Sequence, residues 1–375
     1  MTEKDLREIR RRFRPDKNNI TNIVGCIVNS EKNIIANFNQ PLATTSTEES
    51  EKLLSVMKKT LSGTLGTNLL SMDFSTKQVE SGEEHGLLMK LRSSCLKDKE
   101  ALDSFYQKVI SSVKFDGGFA ILLAYDVYDV FTYSESGSKD DVSAQMFPYI
   151  ICSICPIKPL NTGLYYRNDD NLFRSVSVQT LLCSTQLGFM FPSFDNRAAN
   201  IYSALYYTRD ISNIHPQFIE NVFNVNLPMS ATEQKQNFGS CLKDTLSTEC
   251  DFEVVKTVHE QVAEMIEEHK NSKDDEPLSL SKETLKTVLQ YCGVDQEKVD
   301  SFGDKFDEQF GKNAEIVPKS IVDVNKFRLE TADVSIKVNP ERKDLVSTQV
   351  INGVKYIMIR AEGGVEVNGI DIEIK

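Results

Sequence analysis

The chain has 375 residues, of which 40% are hydrophobic and 26% charged, and its formal net charge is -12. That length allows two or three domains with cores of their own. No run of about 18 apolar residues is present, which excludes a membrane-spanning helix, and the acidic balance argues against bulk binding to nucleic acid.

The charge is uneven. Asp251 to Glu315 holds 17 acidic and 8 basic residues, whereas Met1 to Lys17 holds 7 basic and 4 acidic. The opening MTEKDLREIRRRF lacks an apolar core segment, so it does not read as a secretory leader, and a cytoplasmic protein is expected. The 8 cysteines are scattered and mostly lie in apolar runs, the pattern of free buried thiols in a reducing compartment.

In chain order, Thr2 to Arg14 reads as a helix. Thr2 and Asp5 have capping-box spacing, Leu6, Ile9 and Phe13 form an apolar stripe, and Pro15 ends it. Arg7, Arg10, Arg11 and Arg14 make a basic stripe beside the apolar one. Ile20–Ser30 and Ile34–Phe38 read as a hairpin. A helix follows over Thr47–Ser62, then an apolar cluster at Leu69–Phe74 and an amphipathic helix over Asp98–Val113. Phe119–Tyr125 and Tyr149–Ile157 are continuous apolar runs of strand length, expected to be buried on both faces. Ser134–Asp141 reads as a polar loop, and Leu164–Tyr166 pairs with Leu172–Val178 across the acidic turn Asn168–Asn171. Gly188–Phe191 and Ile201–Tyr207 read as buried strands flanking a polar turn, Ser193–Asn200.

From His215 to Gly311 the periodicity is helical, with NSKDDEP at Asn271–Pro277 as a solvated linker. Beyond Lys326 it changes to period two. Asn352-Gly353 and Asn368-Gly369 each mark a hairpin. The fold class expected is α+β: a mixed or mostly antiparallel sheet domain over 1–210, an acidic helical region over 211–315 and a small β-hairpin subdomain over 316–375.

Candidate chemistry is sparse. Cys152 and Cys155 form a C-x2-C without a second ligand pair, in a strand where i and i+3 face opposite ways, so no metal is expected there. His85, His215, His259 and His269 make no H-E-x-x-H. Asp116-Gly117-Gly118 and Gly63-x-x-Gly66 lack phosphate-loop spacing, and no cofactor motif is present. Asp126 and Asp129 follow one apolar strand, and Asp195 and Arg197 lie at the end of another. They could share a cleft for metal-dependent hydrolysis, or they could form ion pairs that lock loops together. Arg7, Arg10, Arg11 and Arg14 could contact the phosphates of RNA, or offset the chain's own acidic surface.

The segments REIRRRFRP, TLSGTLGTNLLSMDF, ILLAYDVYDV, YIICSICPI, GFMFPSFDNRAANIYSALYYTRD and IKVNPERKDLVSTQVINGVKYIMI resemble the domain-of-unknown-function family numbered 4317, over essentially the whole chain. The resemblance implies a bacterial cytoplasmic protein; it implies no activity and carries over no catalytic residue. The function expected from all this is a non-enzymatic interaction or regulatory protein with a protein partner. An RNA- or ribosome-associated factor using the arginine helix is the alternative, and a metal-dependent hydrolase the second alternative. No cofactor and no membrane partner are expected.

Overall fold

In a computed structural model, the described residues are 1–130, 145–159, 163–167, 171–176, 180–247, 250–272, 276–312, 314–324, 326–361, 363–367 and 370–373. The expected polar loop Ser134–Asp141 lies outside them, as do most of the acidic turn Asn168–Asn171, the Asn368-Gly369 turn and part of the linker Asn271–Pro277. Two compact units are present: Met1–Ser230 makes up the bulk of the first, and the chain from Ala231 onward nearly all of the second.

The first unit runs α1 (Glu3–Arg10), β1 (Asn22–Val28), β2 (Ile34–Pro41), α2 (Thr47–Lys59), β3 (Leu69–Asp73), α3 (Thr76–Ser81), α4 (Glu83–Ser93), α5 (Lys99–Ser112), β4 (Phe119–Val130) and β5 (Gln145–Pro159). It continues with β6 (Gly163–Arg167), β7 (Leu172–Val176), β8 (Thr180–Leu182), β9 (Leu187–Phe191), β10 (Ser193–Asp195), β11 (Ala198–Asn200), β12 (Ser203–Thr208) and α6 (Pro216–Val222). The main sheet has the order β2-β1-β4-β5-β9-β12-β3, with β8 added at the end of β5. Every pairing in it is antiparallel.

Antiparallel sheets often leave one face wet, but helices cover both faces of this one. On one face Ile121, Leu123, Cys152 and Phe189 pack with α4, α5 and α6 through Leu88, Leu91, Phe105, Val109 and Phe218. On the other, Ala120, Leu122, Ala124, Ile151 and Met190 pack with α1 and α2 through Leu6, Ile9, Leu54 and Met57. This is why the central strands read as unbroken apolar runs. The run Gly188–Phe191 lies in β9 and Ser203–Tyr207 in β12, both buried throughout and paired with Leu205 opposite Met190; Ile201 and Tyr202 precede β12 in a turn, and Tyr202 is 46% exposed. The Ser193–Asn200 turn is itself a hairpin, β10–β11.

Gly188 is required by this packing. A Cβ there would collide with the carbonyl of Cys152 and reach 2.9 Å from Thr60 Oγ1, whose hydroxyl is already held 2.6 Å from Ser153 Oγ.

The second unit runs α7 (Ala231–Leu246), α8 (Phe252–Ser272), β13 (Leu280–Ser281), α9 (Lys282–Tyr291), α10 (Gln296–Phe310), β14 (Glu315–Ile316) and α11 (Pro318–Ile321). Three two-stranded ribbons follow: β15 (Phe327–Glu330) with β16 (Ser335–Val338), β17 (Val346–Ile351) with β18 (Val354–Ile359), and β19 (Val365–Val367) with β20 (Ile370–Ile372). The helices share a core of Phe238, Leu242, Val262, Leu289, Phe302 and Phe306. The ribbons contribute far less: Phe327, Val338 and Val346 form a small cluster. Beside it Lys343 is 6% exposed. Its Nζ donates to His259 Nδ1 at 2.9 Å and stands 5.4 Å from the centre of the Phe327 ring.

Candidate functional site

The basic helix, β4 and the β10–β11 tip meet in one place; Asp126 and Asp129, expected to follow the apolar strand, lie within β4, which runs on to Val130 opposite β5. α1 starts at a complete capping box, Thr2 with Asp5, and buries Leu6 and Ile9 against the sheet. The expected helix to Arg14 stops at Arg10. The Arg12 N–H bonds Ile9 O at 2.9 Å, tightening the last turn, and Pro15 disfavours helical backbone at Arg14. At about 100° per residue, Arg10 and Arg12 flank the apolar stripe, while Arg7 and Arg11 fall on the far side; Arg14 lies beyond the helix end.

The margins are spent on the protein itself. Arg10 donates to Leu61 O at 2.5 Å and Gly63 O at 3.0 Å. Arg12 reaches the buried carboxylate of Asp126, with Nη2 3.2 Å from both oxygens and Nε 3.3 Å from Oδ2. Asp126 also accepts from the Asn19 backbone N–H and from Tyr149 Oη, each at 2.8 Å. Burial first, and then Asp126, raises the Tyr149 hydroxyl well above its ordinary pKa. The Arg12 guanidinium lies 4.8 Å from the centre of the Tyr128 ring, and the Tyr128 hydroxyl donates to Glu8. Burial and that contact push Tyr128 up to about 12. Arg197 completes the chain with Nη2 3.3 Å from Glu8 Oε1.

Asp126 and Arg197 therefore do not pair with each other; both are tied to α1. Asp195 pairs with the terminal ammonium of Met1 and accepts from Asn200 at 2.6 Å and Ser193 at 3.2 Å. Burial would raise its carboxyl, but these donors hold it below the usual range. Asn196 and Arg197 form the tip of β10–β11 with φ of 48° and 60°, a left-handed conformation that strains a bulky side chain. Asp129 is three residues past Asp126 on β4 and so points to the opposite face of the sheet. The arrangement is a set of ion pairs and hydrogen bonds that pins α1 to the sheet. Arg12, its central member, was absent from the sequence reading, although its place on the margin of the apolar stripe was a usable signal.

What α1 and the turn that follows it present outward is Lys4, Arg7, Arg11 and Arg14, all exposed; Arg7 Nε also donates to Glu3 O at 3.1 Å. Of the other sequence candidates, Cys152, Cys155 and His85 are buried. Cys152 and Cys155 sit on opposite faces of β5, one in each core, and burial raises both thiols. His85 is buried, with Nε2 2.9 Å from Ile201 O. Among the described residues no group of three or more His, Cys, Asp or Glu is placed to hold a metal, and no helix is long and apolar enough to cross a membrane.

A second candidate surface is the ribbon β17–β18. Its register pairs Ile351 with Val354 across Asn352-Gly353, whose φ values of 51° and 79° are those of a type I′ turn. Only Val346 is buried. Val350, Val354 and Ile359 are 63%, 53% and 57% exposed, and Tyr356 is 45% exposed. Sequence periodicity locates this hairpin but says nothing of what covers it.

No curated protein matches the chain. The family model described as "Domain of unknown function (DUF4317)" matches residues 1–370, and the chain belongs to that family.

Proposed function

We propose that this is a cytoplasmic, non-catalytic interaction protein that binds a protein partner through its C-terminal β-ribbons. The observation that carries the reading is β17–β18, where seven large apolar side chains stand exposed on a two-stranded ribbon. Such a ribbon is marginal in water without a third strand or a covering surface; Ile351, Val354, Tyr356 and Met358 share one face and Val350, Ile357 and Ile359 the other, so neither face is screened from a partner. The carboxylates that suggested hydrolysis support the reading from the other side. Asp126 and Asp195 are engaged by Arg12, Tyr149, Asn200 and the Met1 ammonium.

A photo-crosslinking residue in place of Tyr356 tests it in cells carrying the full chain. Crosslinks to one dominant protein are expected, and an absence of any protein crosslink overturns the proposal. A second reading, RNA or ribosome binding, rests on the outward Arg7, Arg11 and Arg14. It predicts RNA in the purified eluate that disappears when all three are changed to Glu.

A further inference from the structure

Resting on the interaction reading, we infer that the partner seated on β18 is a second copy of this chain, joined strand to strand into a continuous antiparallel sheet. The backbone fixes which groups are free. The N–H of Arg360 donates to Leu345 O at 2.7 Å, so that pair is hydrogen-bonded. Bonded and non-bonded pairs alternate in an antiparallel ladder. Val354, Tyr356 and Met358 therefore bond to β17, while the N–H and C=O groups of Lys355, Ile357 and Ile359 point away from it. Among the described residues no strand pairs with that edge.

The strand VKYIMI is suited to its own copy. Five of its six side chains are apolar and the sixth is Lys355; Ser347 to Ile359 contains no acidic residue. A two-fold axis through Ile357 sets Ile357 opposite Ile357 of the second copy, Lys355 opposite Ile359 and Tyr356 opposite Met358. Every outward backbone group then finds a mate, and no two lysines meet. A two-fold centred on Lys355 would place like charges directly opposite, which is destabilising. The product is a four-stranded sheet, β17-β18-β18-β17, past the three strands that an independently stable sheet needs. It also covers an edge that would otherwise invite aggregation. A contact of this kind is isologous and closes at the dimer.

Sedimentation equilibrium of the full chain tests the pairing. A dimer is expected for the unaltered protein. Ile357→Pro should dissociate it, because that nitrogen faces the free edge and the ladder to β17 keeps all its bonds. Ile357→Lys and Ile357→Glu should each weaken self-association on the order of tenfold or more. Mixing the two variants should restore a dimer containing one of each. A monomer at every concentration overturns the inference, as does a dimer indifferent to all three substitutions. If the chain is monomeric but Tyr356 still crosslinks to another protein, the inference fails and the interaction reading stands. If Tyr356 crosslinks to no protein, both fail.

Discussion

Arg12 lies 3.2 Å from both oxygens of Asp126, a carboxylate with 0% exposure, and joins a helix at the start of the chain to a strand more than a hundred residues later. The pair does not stand alone. Tyr149 and the backbone N–H groups of Asn19 and Val127 also donate to Asp126, and Tyr128 carries the guanidinium on its ring. A buried ion pair earns net stability only when such extra bonds are made, and here they are made from three directions.

Removing one partner should therefore cost far more than removing both. Arg12→Met leaves Asp126 buried without its cation, and about 3–5 kcal/mol should be lost in urea unfolding. Asp126→Asn in the same chain should recover a large part of that. A double variant that loses the sum of the two single losses would show that the pair has no coupling and that α1 is held by Leu6 and Ile9 alone.

The arginines of α1 should separate into two classes. Arg10→Ala removes donors to Leu61 O, which is part-buried, and to Gly63 O, which is exposed, and about 1 kcal/mol should be lost. Arg7, Arg11 and Arg14 are exposed, and reversing each to Glu should change stability by no more than about 0.5 kcal/mol. Thermal unfolding of the four variants checks this. A large loss from the exposed three would mean that they, too, are structural.

Strong periodicity carried much of the architecture. The Asn352-Gly353 hairpin, the helix capped by Asp98 and the buried pair β9 and β12 all follow from patterns a few residues long. α4 leaves a weak pattern because Gly82 precedes it without a side-chain cap, Gly86 lies within it, and its buried residues are His85, Leu88 and Leu91. The candidate site was half legible. Asp126, Asp195 and Arg197 stood out as charges at strand ends, but their partners Arg12, Glu8 and Tyr149 come from distant segments. Long-range pairing of that kind leaves no local spacing to read.

Gly188 should tolerate no side chain. Gly188→Ala would drive a methyl group into the Cys152 carbonyl and the Thr60 side chain at the middle of the sheet. Overpacking against backbone has little room to relax, so a loss of about 3 kcal/mol is expected. A shift in the urea midpoint without a change in slope would report it, and an unchanged midpoint would mean that β9 can move relative to β5.

The second unit should lose stability in mild acid through His259. Lys343 Nζ stands 2.9 Å from its Nδ1, a contact that an ammonium makes only with a neutral, accepting imidazole. Burial first, and then the nearby Lys343, lowers its pKa from the ordinary 6.5. Below 6.5 the unfolded chain takes up the proton more readily than the folded one, so folding stability falls as pH drops through that value. Lys343 is itself lowered by burial, which leaves it no incentive to accept a second cation 2.9 Å away. His215 in the first unit is lowered by burial as well and contributes the same slope, so a variant is needed to isolate the pair. Urea unfolding from about pH 7.5 to about pH 5.5 should show a decline in the unaltered protein that is shallower in His259→Gln, which cannot take up the proton. Identical slopes in the two proteins would mean that His259 titrates alike in the folded and unfolded chains and that the Lys343 contact does not set its protonation.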